Sequence, residues 1–279
     1  MTARAALRSP APAAFDRLAA DYDTLTGGEI FQVLRARTHD VFARCFAAGS
    51  RVLEIGCGTG SDTQFLAARG VRVVACDASE EMVGRTLRRL SREGLDRQAT
   101  ALPCGVEDLE SYLDALNLDG TFDGIISNFG VLNCVEHLAP LTALVRRHLG
   151  PGGHVLLNLM TRVCALEVAY FTATRRPHLA RRRFGTGAVN VCVAGIDVPT
   201  YYHRVKDVSH ALAHHVAPVA IYGIGIAIPP PYLEPRWQTL PRAVRTAVIA
   251  VDRWLTPWPP FNRFGDHVLL HFVKNAAHD

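Results

Sequence analysis

No apolar run in this chain is long enough to cross a bilayer. The longest, Val216 to Ile228, spans thirteen residues and contains Pro218, Gly223 and Gly225, whereas a spanning helix needs about 20 apolar residues. Cysteines are scattered, at 45, 57, 76, 104, 134, 164 and 192 and never closer than twelve residues. That spacing excludes a CxxC metal knuckle and a compact disulfide framework. The odd cysteine count, with no secretory leader in residues 1–14, predicts a reducing, cytoplasmic setting. GxSxG is absent, which removes the usual serine hydrolase. Thirty basic against twenty-six acidic residues give a net charge of +4, too mild to argue for nucleic acid by itself. Apolar residues make up 49% and charged residues 20%, a globular composition that excludes disorder.

What is present is an alternation of short apolar runs with amphipathic stretches, the pattern of a parallel sheet covered by helices. Strands are predicted at Arg51–Ile55, Val71–Cys76, Ala99–Pro103, Phe122–Ser127 and His154–Met160. Helices are predicted at Asp62–Arg69, Glu80–Arg92 and Leu138–Leu149, where apolar residues recur every three or four positions. Beyond Met160 the pattern loosens. Val163–Thr174 and Val208–His215 read as helices, Val189–Ile196 with Val198–His203 as a hairpin, and Val219–Ile228 as a strand. A helix at Arg242–Leu255 and a last strand at Val268–Val273 complete the reading. The expected architecture is α/β: a Rossmann-like, doubly wound, mostly parallel seven-stranded sheet with helices on both faces. Residues 1–14 read as a flexible tail and 15–279 as one domain. Departures near 161–203 and 229–262 mark a cap in the C-terminal half.

The sharpest signal is Val52-Leu53-Glu54-Ile55-Gly56-Cys57-Gly58-Thr59-Gly60. Three glycines in five residues, after a strand and before a helix, let the backbone turn tightly and approach a ligand. The next strand ends in Asp77, seventeen residues past Gly60, where a carboxylate accepts from both hydroxyls of a ribose. The expected ligand is therefore a nucleoside. The third glycine comes one place too early for the dinucleotide fingerprint GxGxxG, and Glu54 would repel a pyrophosphate but attract an ammonium group. A nicotinamide-dependent oxidoreductase is thereby disfavoured.

Strand-Glu-x-Gly-x-Gly-x-Gly with a ribose-binding acid resembles motif I of the class I S-adenosylmethionine-dependent methyltransferases. Phe15-Asp16 with Tyr22-Asp23, Asp77-Ala78-Ser79-Glu80-Glu81-Met82, Phe122-Asp123 through Gly130 and Pro151-Gly152-Gly153 resemble further segments of that family in the same order. The resemblance covers residues 15–160. It implies that S-adenosyl-L-methionine lies over Gly56, Cys57, Gly58 and Gly60 with Tyr22 as aromatic cover. Glu54 would reach the amino group and Asp77 the ribose. Ala78 and Met82 would pack near the adenine, and Asn128 and Phe129 would line the methionyl chain. Such families often place an acid after strand three for the adenine amino group. Gly105 occupies that position here, which leaves the Val106 backbone or Glu107 to substitute.

Methyl transfer from a sulfonium is an in-line displacement, so the protein chiefly aligns nucleophile, methyl carbon and sulfur in a dry pocket. A general base is needed only for a protonated nucleophile. The candidates His203, Tyr201, Tyr202 and Glu167 lack a diagnostic spacing. The apolar and aromatic cap residues Tyr170, Phe171, Tyr201, Tyr202, Tyr232, Trp237, Trp254, Trp258 and Phe261 favour a small, moderately hydrophobic acceptor, methylated on oxygen or nitrogen. The rivals are an RNA methyltransferase gripping phosphate through Arg175, Arg176 and Arg181–Arg183, and a non-catalytic cofactor-binding protein. No metal site is expected. His210 and His214 read as a solvated helix face, and His267 and His271 as a polar sheet surface.

Overall fold

The computed structural model describes residues 9–116 and 122–275. Three helices, α1 (Ala11–Leu18), α2 (Tyr22–Leu25) and α3 (Glu29–Cys45), precede the first strand. Then come β1 (Arg51–Ile55), α4 (Ser61–Ala67), β2 (Arg72–Asp77), α5 (Glu80–Arg92), β3 (Ala99–Pro103), α6 (Leu109–Ala115), β4 (Phe122–Ser127), α7 (Ala139–His148) and β5 (Leu149–Met160). The C-terminal part holds α8 (Ala165–Ala173), α9 (Pro177–Ala180), β6 (Val189–Val193), β7 (Ile196–Thr200), α10 (Val205–Leu212) and β8 (Val216–Ile224). It ends with α11 (Glu234–Trp237), α12 (Arg242–Leu255) and β9 (His267–Lys274).

Seven strands form one sheet in the order β3-β2-β1-β4-β5-β9-β8. β1 to β5 pair in parallel, and β9 runs antiparallel to both of its neighbours. Central strands of such a sheet are covered on both faces, and accordingly Val52, Leu53, Glu54 and Ile55 are all buried. One face packs Leu109 and Leu113 of α6, Leu141, Leu144 and Val145 of α7, and Val208 and Leu212 of α10. The other packs Ile30, Leu34 and Phe42 of α3, Leu66 of α4, and Val83 and Leu90 of α5. The α/β doubly wound class is therefore the one expected. Helix α5 shows why these segments start where they do. Ser79 Oγ accepts the Met82 N–H at 3.1 Å, acids Glu80 and Glu81 fill the first turn, and Arg89 and Arg92 fill the last.

Several expectations need correction. The pattern reading missed α3, seventeen residues long, although Ile30, Leu34, Thr38, Val41 and Phe42 recur at helical spacing and are buried. Helix α1 begins at Ala11, inside the expected tail, because Ala11 and Ala14 are buried against Val198 of the β6–β7 hairpin. Phe15 joins that cluster rather than the glycine loop. β8 runs from Val216 to Ile224 rather than to 228, since Asp252 takes the N–H groups of Ile226, Ala227 and Ile228 out of the ladder.

His267 and His271 are not a polar sheet surface: both are buried. Desolvation, with neighbouring His154 and Arg44, lowers His271 to about 4. His210 and His214 are exposed. Among the described residues, no helix is long and apolar enough to cross a membrane.

Phe46, just beyond α3, lies across β4, its ring 2.1–2.3 Å from where a Cβ on Gly124 would stand. Gly124→Ala is expected to destabilise the protein by roughly 2 kcal/mol through overpacking. Urea unfolding followed by circular dichroism would measure it, and an unchanged midpoint would contradict the close packing.

Candidate functional site

The glycine loop leaves β1 at the C-terminal edge of the parallel strands, where ligands bind in open α/β sheets. Gly56, Gly58 and Gly60 have φ values of +78°, +54° and +84°, a region that other residues enter at a cost. Space is also short: a Cβ on Gly56 would meet Val131 at 2.3 Å, and one on Gly60 would meet Thr86 at 2.8 Å. The Gly56 and Cys57 N–H groups donate to the Cys76 carbonyl at 2.8 and 2.9 Å, which fastens the loop to the end of β2.

Asp77, at that end, accepts from the Gly58 N–H and the Ser79 N–H, both at 2.9 Å. Burial nonetheless raises its pKa. Tyr22 stands over the loop, its Cε1 3.8 Å from a Cβ position on Gly58. Desolvation pushes its hydroxyl up to about 12. Asp23 takes the Thr59 hydroxyl at 2.5 Å and pairs with Arg89 at 2.6 Å, holding α2 to the loop.

Beneath the loop lie two buried carboxylates with opposite fates. Glu54 is 1% exposed and accepts the Thr63 hydroxyl at 2.6 Å. Desolvation and the nearby Asp62 charge raise it to about 8, so it is largely protonated at neutral pH. Asp62 is equally short of water, yet Arg35 at 3.1 Å, His39 at 2.6 Å and Asn128 at 2.8 Å hold it well below the usual carboxylate range. Asn128 also donates to Thr38 and accepts from Asn158, so β4, β5, α3 and α4 meet here. Phe129 follows at φ +51°. Its ring packs on Phe31 at 4.6 Å, with the Arg35 guanidinium 5.1 Å above it.

The structure thus gathers Tyr22, Glu54, Gly56, Cys57, Gly58, Gly60, Asp77, Asn128 and Phe129 around one loop. Ala78 is exposed beside them and Met82 is fully buried. Val106 is buried, but the Glu107 carboxylate folds back to 2.8 Å from where a Cβ on Gly105 would stand, with Ala78 Cβ 3.8 Å from the same point. Glu107 therefore fills the space that a side chain at position 105 would take. Sequence reasoning missed Arg35, Thr38, His39 and Asp62. For the first three the signal was the helical period of α3. For Asp62 it was an acid two residues past the glycine loop.

The four base candidates fare differently. Glu167 is buried, and although burial opposes it, Arg182 and Arg183 at 2.8 and 2.6 Å keep it ionised and below its ordinary range. It also accepts the Tyr232 hydroxyl. Tyr202 lies under the Arg183 guanidinium, 5.5 Å from it, and Tyr201 donates to Glu136 at 3.3 Å. His203 Nε2 donates to the Val135 carbonyl at 2.8 Å, leaving Nδ1 as its acceptor. Arg182 and Arg183 are committed to Glu167 and Asp266 rather than forming an open phosphate grip. Of the cap aromatics, Trp237 is buried, whereas Trp254, Trp258 and Phe261 are exposed.

Comparison with known proteins agrees with this geometry. The family described as Methyltransferase domain matches residues 52–153. A demethylmenaquinone methyltransferase of Clavibacter sepedonicus is 36% identical over 151 residues, covering 52% of this chain and 56% of that protein. A cypemycin N-terminal methyltransferase of a Streptomyces species is 36% identical over 113 residues, covering 39% and 42%. A ubiquinone biosynthesis O-methyltransferase of Xanthomonas oryzae is 34% identical over 128 residues, covering 45% and 49%. The chain spans about half the length of the curated relatives it matches.

Among solved structures, a putative S-adenosylmethionine-dependent methyltransferase from Listeria monocytogenes aligns at 18% identity and TM-score 0.59, covering 85% of this chain and 96% of its own. The [4+2]-cyclase SpnF aligns at 14% identity and TM-score 0.62, covering 96% of both. These likenesses establish the fold. Fold and loop together define a Rossmann-like nucleoside-binding domain. Residues 52–153 carry a methyltransferase domain, and the solved structures that share the fold of the chain include S-adenosylmethionine-dependent methyltransferases.

Asp62→Ala would leave Arg35 and His39 facing a cavity. It is expected to cost about 3 kcal/mol, the penalty for breaking a largely buried ion pair. Thermal unfolding of the two proteins side by side would show it, and a shift within experimental error would remove Asp62 as the organising charge.

Proposed function

We propose that this protein transfers the methyl group of S-adenosyl-L-methionine to an oxygen or nitrogen of a small, moderately hydrophobic molecule. The observation that carries the reading is the glycine loop framed by Glu54 before it and Asp77 at the end of the next strand. In this reading Asp77 takes the ribose hydroxyls and the Glu107 carboxylate takes the adenine amino group. The loop N–H groups and Tyr22 enclose the methionyl part, and Glu54 meets its ammonium. Arg35, above Phe129 and Phe31, receives the carboxylate end. The residues present fit the cofactor: the cradle is one that a Cβ would fill, and Glu54 is a buried acid whose ionisation needs a cation.

Bound there, the cofactor supplies an electrophilic methyl group and a neutral leaving group. The chain's part is alignment and exclusion of water. For a protonated acceptor, His203 Nδ1 is the candidate that keeps a free lone pair. Segments 161–203 and 229–262 form the acceptor-facing cap on the single domain. The quinone-related names of two relatives favour a small-molecule acceptor over RNA, as does the commitment of Arg182 and Arg183 to Glu167. Seven free cysteines among the described residues favour a reducing compartment, the cytoplasm.

Two measurements test the cofactor assignment. Asp77→Ala should weaken S-adenosylhomocysteine binding by about 1–3 kcal/mol, the cost of unmade charged hydrogen bonds; unchanged affinity by calorimetry would remove the ribose assignment. Glu54 is protonated in the empty site below about 8, and an ammonium favours its ionised form. Binding therefore releases a proton, and affinity should climb with pH from 6 toward 8, approaching about tenfold per unit. The rise ends near 8 or where the ligand loses its own ammonium. Glu54→Gln should abolish that slope, and a wild-type affinity flat across this range would sink the role given to Glu54. Methyl transfer itself is checked by homocysteine-thioether release with quinol or phenol acceptors; cofactor binding without turnover on any acceptor would favour the non-catalytic rival.

A further inference from the structure

Three residues far apart in the chain meet at the opposite edge of the sheet. His154 stands opposite Gly124 and Val273, three residues before Leu157, which pairs with Ser127 where β4 hands over to the site. His271 lies on neighbouring β9, and Cys45 is the last residue of α3. His154 Nδ1 and His271 Nε2 are 2.9 Å apart, and Cys45 Sγ is 3.8 Å from the same His271 nitrogen. All three ligand atoms lie within 4.8 Å of one another.

We propose that Cys45, His154 and His271 form a metal site that binds one zinc-class ion and staples the end of α3 to β5 and β9. The spacing suits it. An ion bonded tetrahedrally at about 2.0 Å to nitrogen and 2.3 Å to sulfur holds two nitrogens roughly 3.3 Å apart and nitrogen and sulfur roughly 3.6 Å apart. The two separations at His271 Nε2 fall on either side of those values, so shifts of a few tenths of an ångström bring both into range. One thiolate with two imidazoles is a donor set that selects Zn²⁺ or Cu⁺ over the hard cations Mg²⁺ and Ca²⁺.

Hydrogen bonding alone accounts poorly for the cluster. The two facing ring nitrogens, 2.9 Å apart, can share only a single proton, whereas an ion between the rings uses a lone pair from each. The Arg44 guanidinium, which acts on His271, opposes a cation, and the thiolate that Cys45 becomes on binding the ion would offset that charge. Cys45 and His154 are half-buried, so the fourth ligand of the ion would be water. The site lies away from the glycine loop, so its role is mechanical. It fixes the helix that delivers Arg35, Thr38 and His39 to Asp62 and Asn128.

Cobalt titration of the full-length protein, stripped of metal by chelator, tests this directly. One equivalent of Co²⁺ should raise a thiolate-to-cobalt charge-transfer band together with visible bands of tetrahedral intensity, and one equivalent of Zn²⁺ should abolish them. Cys45→Ser should lose the charge-transfer band, and His154→Gln and His271→Gln should each weaken binding at least tenfold. His210→Ala in α10 together with His214→Ala just beyond it, both exposed, and Cys192→Ser should leave the titration unchanged. Zinc should also raise the unfolding temperature of wild-type protein but not of the His271→Gln protein, a readout that survives a small loss of stability in the variant. The proposal is overturned if wild-type protein shows no charge-transfer band, or if the band persists in Cys45→Ser.

Discussion

One buried carboxylate holds the functional edge of this molecule together. Asp62, in the first turn of α4, takes hydrogen bonds from Arg35 and His39 of α3 and from Asn128 at the end of β4. Removing a charge from water is costly unless it is paired and fully hydrogen-bonded, and here three donors from two other elements meet that demand. Because the charge cannot be left unpaired, α3 and the β4 terminus have one permitted arrangement around the loop. Glu54, a short distance away without a cation of its own, is neutralised instead. The same low dielectric keeps one acid ionised for structure and leaves the other protonated until a cation arrives.

The C-terminal cap is tied to the same helix. The Glu234 carboxylate accepts the Glu29 and Ile30 N–H groups at 3.0 and 2.9 Å, capping α3 at its N-terminus. Glu29 in turn pairs with Arg245 and takes the Trp237 indole N–H. Glu167, Arg182, Arg183 and Asp266 close a second network that joins α8 to the entrance of β9. Both long departures from the βα alternation are thereby fastened by ion pairs to elements that reach the loop.

What was legible in the sequence was whatever local chain geometry encodes. Gly56, Gly58, Gly60, Glu54 and Asp77 lie in one strand-turn-helix-strand unit, and their spacing by itself states which atoms converge. Sheet strands announced themselves as apolar runs, and the doubly wound α/β class followed from the alternation, whereas the strand order is visible only in the fold. Arg35, His39 and Asp62 were not legible as a group, because the apolar period of α3 marks its buried face but their meeting with α4 depends on how α3 crosses the sheet. Cys45, His154 and His271 are an extreme case, with the two histidines 117 residues apart. The basic run at 181–183 shows the same limit for Arg182 and Arg183. Their charge was visible, but Glu167 and Asp266, which pair with them, sit elsewhere in the chain.

The position of β9 also bears on how the protein is made. β8 has β9 as its one neighbour in the sheet, and β9 separates it from β5. While a ribosome is still extending the chain through residue 266, both β5 and β8 therefore present unpaired edges. Such edges invite pairing with other chains, and nothing synthesised earlier covers them in the final topology. On docking, His267–Lys274 pairs with β5 and β8 at once, so neither edge is closed by β9 until that strand is in place.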